Sequence, residues 1–337
     1  MFRQFRKCNA LEFGICKPIL NRLISKEFQN SLIKRLSTLN SSLDISGIYP
    51  PIITNFDSDG NIDFKKLLLN LEKWKSIPFK GYVVLGSTGE FVSLSEDEKV
   101  KLVKCIKDSS TSDKLILAGS GCESTAHTIE LTNKMASVGA NAALVVSPCF
   151  YKGRMTEDIL YDHYQKVADS SEIPIILYSV PPNTSIDLTA SLVAKLADHP
   201  NIIGLKDSGG DITKIGLIVH KTKGKNFQVL AGSAGFLYPA LCVGCVGGVL
   251  ALANPLGKPL CDLYQHALQG NHDAARSLQH RVIEPNLCVT KLFGIPGVKA
   301  AMDIMGYHGG LCRSPLKALS SHEKEKLKKD FKANGFL

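Results

Sequence analysis

Lys206 and Tyr178, each closing an apolar run, are residue types that could do chemistry together. Lys206 ends the run Ile202-Ile-Gly-Leu-Lys206, and the polar turn Asp207-Ser-Gly-Gly210 follows at once. Lysine is almost never fully buried unless paired. An ammonium at the end of a buried-type strand is therefore either turned out to solvent or put to use. A neutral lysine amine attacks a ketone to form a Schiff base, which draws electrons from the adjacent bond. The ordinary lysine pKa lies near 10.4, and desolvation lowers such a value at about 1.36 kcal/mol per unit. Tyr178 ends the preceding run, Pro174-Ile-Ile-Leu-Tyr178, and a tyrosine beside an imine can shuttle protons during C–C cleavage. A third stretch, Gly86-Ser87-Thr88-Gly89-Glu90, offers glycine amides and two hydroxyls suited to a carboxylate. Each feature alone has an ordinary explanation: a solvated strand end, a core ring with a satisfied hydroxyl, a polar turn. At successive strand ends, together, they describe a 2-oxo-acid aldolase.

Those residues need strands to place them, and the chain supplies a rhythm of them. Strand-like segments are expected over 47–54, 81–85, 115–118, 142–146, 174–178, 202–206, 227–231 and 247–252. Helical segments follow over 62–75, 95–107, 123–138, 156–170, 188–198, 211–221 and 235–243, with another from near 256. Leu67, Leu68, Leu71 and Trp74 form the apolar side of the first helix, and Ser95 with Glu98 forms a capping box. Several strands are continuous apolar runs, as expected when both faces are buried. Strand–helix alternation implies parallel strands, and eight units of this length match a (β/α)₈ TIM barrel. A doubly wound sheet would carry a glycine-rich phosphate turn after its first strand. Here that position reads Thr54-Asn-Phe-Asp-Ser-Asp-Gly60, and Gly119-Ser-Gly121 has Ser124 in place of the third glycine. No P-loop motif is present.

In such a barrel the chemistry sits on the loops after the strands. Those positions hold Ser87, Thr88, Ser147, Phe150, Tyr151, Tyr178, Lys206, Ser208, Gly232, Ser233 and Asn254. They include no histidine and no carboxylate cluster, so neither a catalytic metal nor paired-carboxylate glycoside chemistry is expected. No cofactor is expected either.

The chain has 337 residues, 44% hydrophobic and 21% charged, which is ordinary for a globular protein. No apolar run approaches the roughly 20 residues of a membrane span. The ten cysteines are spread through expected strands and helices, so reduced thiols are expected rather than a disulfide scaffold. Cys242 and Cys245 form one C-x-x-C without further zinc ligands nearby, and read as two small hydrophobic residues of a helix. The net charge is +9, of which +6 lies in residues 1–43. There Arg, Lys and Ser interleave with Leu, Ile and Phe, and acids are few. Residues 1–44 therefore read as a mitochondrial presequence, with a basic tail as the other reading. The remaining excess is too small to argue for nucleic acid. The barrel is expected over 45–270 and a C-terminal helical extension over 271–337, whose charge run at 320–332 reads as a solvated face.

From about residue 47 onward the chain resembles the dihydrodipicolinate synthase/N-acetylneuraminate lyase superfamily of Schiff-base aldolases. Gly86-Ser-Thr-Gly-Glu90 is similar to its G-x-x-G-E carboxylate turn, Leu177-Tyr178-Ser-Val-Pro181 to its Y-N-[VI]-P segment, and Gly204-Leu-Lys206-Asp-Ser to its lysine segment. Within it, Ala118-Gly-Ser-Gly-Cys-Glu-Ser-Thr125, Gln228-Val-Leu-Ala-Gly-Ser-Ala-Gly-Phe236 and Gln279-His-Arg-Val-Ile-Glu-Pro-Asn286 resemble the mitochondrial 4-hydroxy-2-oxoglutarate aldolase branch. The resemblance implies retro-aldol cleavage of 4-hydroxy-2-oxoglutarate to pyruvate and glyoxylate, in hydroxyproline breakdown. It makes Lys206 the imine-forming residue and Tyr178 the proton carrier. Ser87 and Thr88 become the carboxylate ligands, and Ser208 and Gly232 complete the pocket. It also implies a homotetramer built from dimers.

Two departures stand out. Where the synthases carry an aldehyde-gripping arginine after the Tyr178 segment, this chain has Pro182-Asn183-Thr184. The family's inter-subunit tyrosine aligns with Phe150, which leaves Tyr151, one residue on, as its substitute or the relay incomplete. A pyruvate-using lyase or synthase with another aldehyde, and a catalytically silent keto-acid-binding paralogue, are the competing readings.

Overall fold

A computed structural model of the chain describes residues 43–337, and the leader expected over 1–44 lies outside these apart from its last two residues. The first half runs β1 (Gly47–Tyr49), α1 (Phe64–Trp74), β2 (Gly81–Val84), α2 (Glu96–Ser109), β3 (Leu115–Gly119), α3 (Thr125–Ser137), β4 (Ala142–Val146) and α4 (Glu157–Ser170). Then follow β5 (Ile175–Ser179), the one-turn α5 (Pro181–Thr184), α6 (Ala190–Leu196), β6 (Ile202–Asp207) and α7 (Ile212–Lys221). The barrel ends with β7 (Gln228–Ala231), α8 (Leu237–Cys242), β8 (Gly247–Val249) and α9 (Ala253–Leu268). Three more helices complete the chain: α10 (His272–Leu287), α11 (Gly294–Ile304) and α12 (Ser321–Ala333).

The strands pair in parallel in the order β1-β8-β7-β6-β5-β4-β3-β2. The barrel closes where Ile52 N–H donates to Val83 O at 2.8 Å and Val83 N–H to Pro50 O at 3.1 Å. This is a (β/α)₈ TIM barrel with C-terminal helices. The first strand is shorter than the apolar run at 47–54 because Pro50 and Pro51 have no N–H to continue the ladder.

The helices start where side chains can cap them. Asp63, Ser95, Ser124 and Asp211 each accept a backbone N–H of the first turn, and at Ser95 the capping box with Glu98 is complete. In α1, Leu67, Leu71 and Trp74 are buried as expected, but Leu68 is exposed. It sits one step around the helix from Leu67, and Asn70 takes the inward place. The Asn70 side chain donates to His308 O and accepts from His308 N, both at 2.8 Å. The C-terminal charge run is more than a solvated face, since α12 buries Leu327 and Phe331 completely against the other helices.

Residues 44–337 form one compact unit. Between α11 and α12 the chain returns across the barrel, where Leu311 bridges to Phe56 and Asn55 donates to His308 O at 2.6 Å. This return decides how one of the site's loops is held.

Candidate active site

Parallel register sets Lys206 and Tyr178 side by side, since they are direct Cα partners across the β5–β6 pair. Both side chains are buried, and the Lys206 ammonium stands 4.0 Å from the centre of the Tyr178 ring. Side chains alternate across a strand, so the neighbour Asp207 faces outward. Its carboxylate accepts from Gly209 N at 2.9 Å and pairs with Lys214 of α7 at 2.7 Å. Lys214 also reaches Asp187, which accepts from Ser179 Oγ at 2.9 Å. The loops after β5 and β6 are thereby tied together from outside the barrel.

The turn after β2 brings Ser87 to the same place, with its Oγ 3.3 Å from the Tyr178 hydroxyl. Thr88 is next in that 3₁₀ turn (Ser87–Gly89) and half-buried. Ser208 is fixed by Ser208 N donating to Ser179 O at 2.9 Å. Gly232 is required beside it, because a Cβ there would lie 2.0 Å from Ser208 Oγ and 2.6 Å from Asp207 O. Burial raises the Tyr178 pKa, but the Lys206 charge and hydrogen bonds with Ser87, Lys206 and Ser208 outweigh it. The hydroxyl therefore titrates below the ordinary 10.0. Leu85, Phe91, Gly121 and Val146 line the recess in front of Ser87 and Tyr178.

The structure thus brings Lys206, Tyr178, Ser87, Ser208 and Gly232 together, with Thr88 in the adjoining turn. It does not bring Tyr151 to them within one chain. Tyr151 lies on the loop after β4, 70% exposed, edge-on to the 76% exposed ring of Phe150. That loop is held by the Glu123 carboxylate, which accepts from Cys149 N at 2.9 Å and Phe150 N at 2.8 Å.

Gly119 and Gly121 serve packing. A Cβ at 119 would lie 2.0 Å from Leu85 O, and one at 121 would lie 2.7 Å from Val146 N and O. Of the C-x-x-C pair, Cys242 is exposed at the end of α8, while burial pushes the Cys245 thiol up to about 12. A hollow of about 460 Å³ lies between α7 and β7 (Val219, Phe227, Gln228) and shares no residue with the site. It is at the N-terminal ends of the strands, the face that serves stability in these barrels.

Sequence reasoning left one set of residues unassigned. Glu90, last of the G-x-x-G-E turn, is buried and paired with Lys299 of α11 at 2.6 Å. The signal was a single lysine inside the apolar stretch Gly297-Val-Lys-Ala-Ala-Met302.

A parallel barrel with a buried lysine and tyrosine side by side at its C-terminal mouth is the architecture of a barrel enzyme. The chain belongs to the dihydrodipicolinate synthetase family, which it matches over residues 44–334. It is accordingly a lyase-type enzyme. It is 36% identical over 286 residues to 4-hydroxy-tetrahydrodipicolinate synthase of Methanothrix thermoacetophila, covering 84% of this chain and 94% of that one. The synthase of Haloarcula marismortui is 34% identical over 296 residues, 86% of this chain and 93% of the relative. Among solved structures, the Acinetobacter baumannii dihydrodipicolinate synthase complexed with pyruvate superposes with a TM-score of 0.82 at 30% identity. The match covers 87% of this chain and all of that one. These relatives carry the synthase name, not that of the 4-hydroxy-2-oxoglutarate aldolases that the sequence stretches resemble.

Proposed function

We propose that the protein is a class I aldolase that cleaves 4-hydroxy-2-oxoglutarate to pyruvate and glyoxylate. The observation that carries this reading is the buried Lys206 ammonium 4.0 Å from the Tyr178 ring at the barrel mouth. The Lys206 amine adds to C2 and loses water, giving an iminium. Tyr178 takes the C4-hydroxyl proton, the C3–C4 bond breaks, and its electron pair moves through C3 and C2 onto the iminium nitrogen. Glyoxylate leaves, the enamine is protonated at C3, and hydrolysis frees pyruvate and the amine. Ser87 and Thr88 hold the C1 carboxylate, with Ser208 and Gly232 closing the pocket beside the imine.

The loop after β5 supports this choice of aldehyde. It carries Pro182-Asn183-Thr184 where the synthases are expected to have arginine, and the Thr184 hydroxyl is spent on Val180 O and Ile186 O. The synthase names of the relatives favour a second reading, in which the same imine joins pyruvate to a different aldehyde. Borohydride trapping with pyruvate, followed by mapping of the adduct, tests what both share. Wild type is expected to gain the adduct at Lys206, and Lys206→Ala to lose adduct and activity together. A wild-type protein without adduct would leave only a silent keto-acid-binding role. Glyoxylate release from 4-hydroxy-2-oxoglutarate, measured against dihydrodipicolinate-precursor formation, then separates the two enzyme readings.

Assembly as a homotetramer is part of the proposal, supported by the exposed Phe150–Tyr151 pair at the mouth. Delivery to the mitochondrial matrix is supported by the basic composition of residues 1–44.

A further inference from the structure

The carboxylate-binding turn is bracketed by two residues in the left-handed region, Leu85 at φ 61° and Glu90 at φ 55°. Neither is glycine, and a bulky leucine there is a marked outlier. Such backbone is strained and persists only where the surroundings over-determine it. On the Leu85 side, the space left by Gly119 admits the Leu85 carbonyl. On the Glu90 side, the restraint comes from outside the barrel.

The Lys299 ammonium and the Glu90 carboxylate are both 2% exposed and 2.6 Å apart. Lys299 also donates to Thr54 O at 2.8 Å and Leu311 O at 2.5 Å, and lies 4.7 Å from the centre of the Phe56 ring. The Thr54 hydroxyl in turn donates to Gly89 O at 2.6 Å, within the turn itself. The second Glu90 oxygen accepts from Arg313 N at 2.9 Å. The Arg313 guanidinium grips Glu98 through both carboxylate oxygens, at 2.7 and 2.9 Å, and donates to Ser93 O. Gly309 lets this strand of chain run against α11, since a Cβ there would lie 1.9 Å from Lys299 O.

We infer that the Glu90–Lys299 pair is a positioning device. Lys299, on a helix after the barrel, holds the Ser87–Thr88 turn in its carboxylate-accepting shape and so governs affinity for the oxo acid, leaving the imine chemistry at Lys206 unaltered. A buried ion pair is weak evidence for stability, since its desolvation offsets its attraction. Here the pair joins one end of a strained turn to a single helix, which gives it a geometric task. The inference rests on the proposed role of Ser87 and Thr88 as carboxylate ligands.

The test uses Glu90→Gln/Lys299→Met in the full-length chain. Removing both charges avoids the stranded buried carboxylate that Lys299→Met alone would leave. Half-saturation for pyruvate in borohydride trapping, and KM for the hydroxy-oxo acid, are expected to rise about tenfold, with kcat within twofold of wild type. Trapping of acetone, a ketone with no carboxylate, is expected to be unchanged, which a general loosening of Lys206 would not allow. Thr54→Val gives a second reading if the double variant does not fold. It cuts only the tie to Gly89 O and is expected to raise the same half-saturation threefold or more. Unchanged half-saturation in the folded variant, or a fall in kcat or acetone trapping instead, overturns the inference. Wild-type protein that traps no pyruvate would instead sink the imine reading beneath it.

Discussion

Tyr178→Phe probes the proposed chemistry most directly, because it deletes one hydroxyl and keeps the ring. The ring lies 4.0 Å from the Lys206 ammonium, and that contact survives in phenylalanine. What disappears is the hydroxyl, 3.3 Å from Ser87 Oγ and hydrogen-bonded also to Lys206 and Ser208, each such bond contributing about 1 kcal/mol to stability. A positioned proton carrier is worth roughly 10²- to 10⁴-fold in rate. With the imine carbon still placed by Lys206, kcat for hydroxy-oxo-acid cleavage is expected to fall roughly 10²- to 10³-fold, about 3–4 kcal/mol of transition-state stabilisation. KM should stay within about threefold, since Ser87 and Thr88 remain. The pH profile adds a sign. The Tyr178 hydroxyl titrates below the ordinary 10.0, and as proton acceptor it acts ionised, so its ionisation gives a limb on which wild-type kcat rises with pH, with its midpoint below pH 10. That limb should vanish in the variant. The assay is steady-state pyruvate release, paired with mass detection of the borohydride-trapped pyruvate adduct, which the variant should still form. Wild-type kcat in Tyr178→Phe would refute the assignment, and loss of the adduct would show that the hydroxyl is needed earlier, for imine formation.

Gly232→Ala should displace Ser208, because the new Cβ falls 2.0 Å from Ser208 Oγ and 2.6 Å from Asp207 O. Overpacking of this kind costs about 1–3 kcal/mol, readable as a lower urea midpoint together with weaker pyruvate trapping. His163 is buried with its Nδ1 3.0 Å from Thr125 Oγ1, and burial lowers its pKa to about 4. The unfolded chain, with an ordinary histidine near 6.5, takes up its proton first as pH falls. Folded stability should therefore drop by roughly 2 kcal/mol between pH 7 and pH 5 on this account alone. His163→Phe should flatten that part of the stability–pH curve, and an unchanged slope would refute the assignment. If Tyr151 relays protons to a neighbouring copy's site, Tyr151→Phe should slow turnover several-fold in the assembled protein, whereas Phe150→Leu should not. Equal effects of the two substitutions would mean that the exposed pair serves packing alone.

Local signals were enough for the repeat and for the Lys206–Tyr178 pair. Continuous apolar runs with caps such as Ser95 and Asp211 fix strand and helix starts through nearest-neighbour hydrogen bonds, which a linear reading can see. Lys206 and Tyr178 were visible because each interrupts an apolar run at its last position, where a parallel barrel gathers strand ends at one mouth. Strand lengths were less legible. Pro50 shortened β1, and the turn to positive φ at Leu85 depends on a glycine 34 residues on, Gly119.

The amino-acid order by itself determined the eightfold alternation and which side chains stand at the strand ends, since both follow from periodicity and local propensity. Only the tertiary structure decided that Tyr178 and Lys206 share a register and that Gly232 makes room for Ser208. It also decided that Tyr151 stands exposed against Phe150 on the loop after β4, and that Lys299 closes on Glu90 across more than two hundred residues. The physical reason is the same in each case. Register, close approach and buried charge pairing are settled between segments distant in the chain, where the energies of both partners enter and neither sequence neighbourhood carries the signal alone.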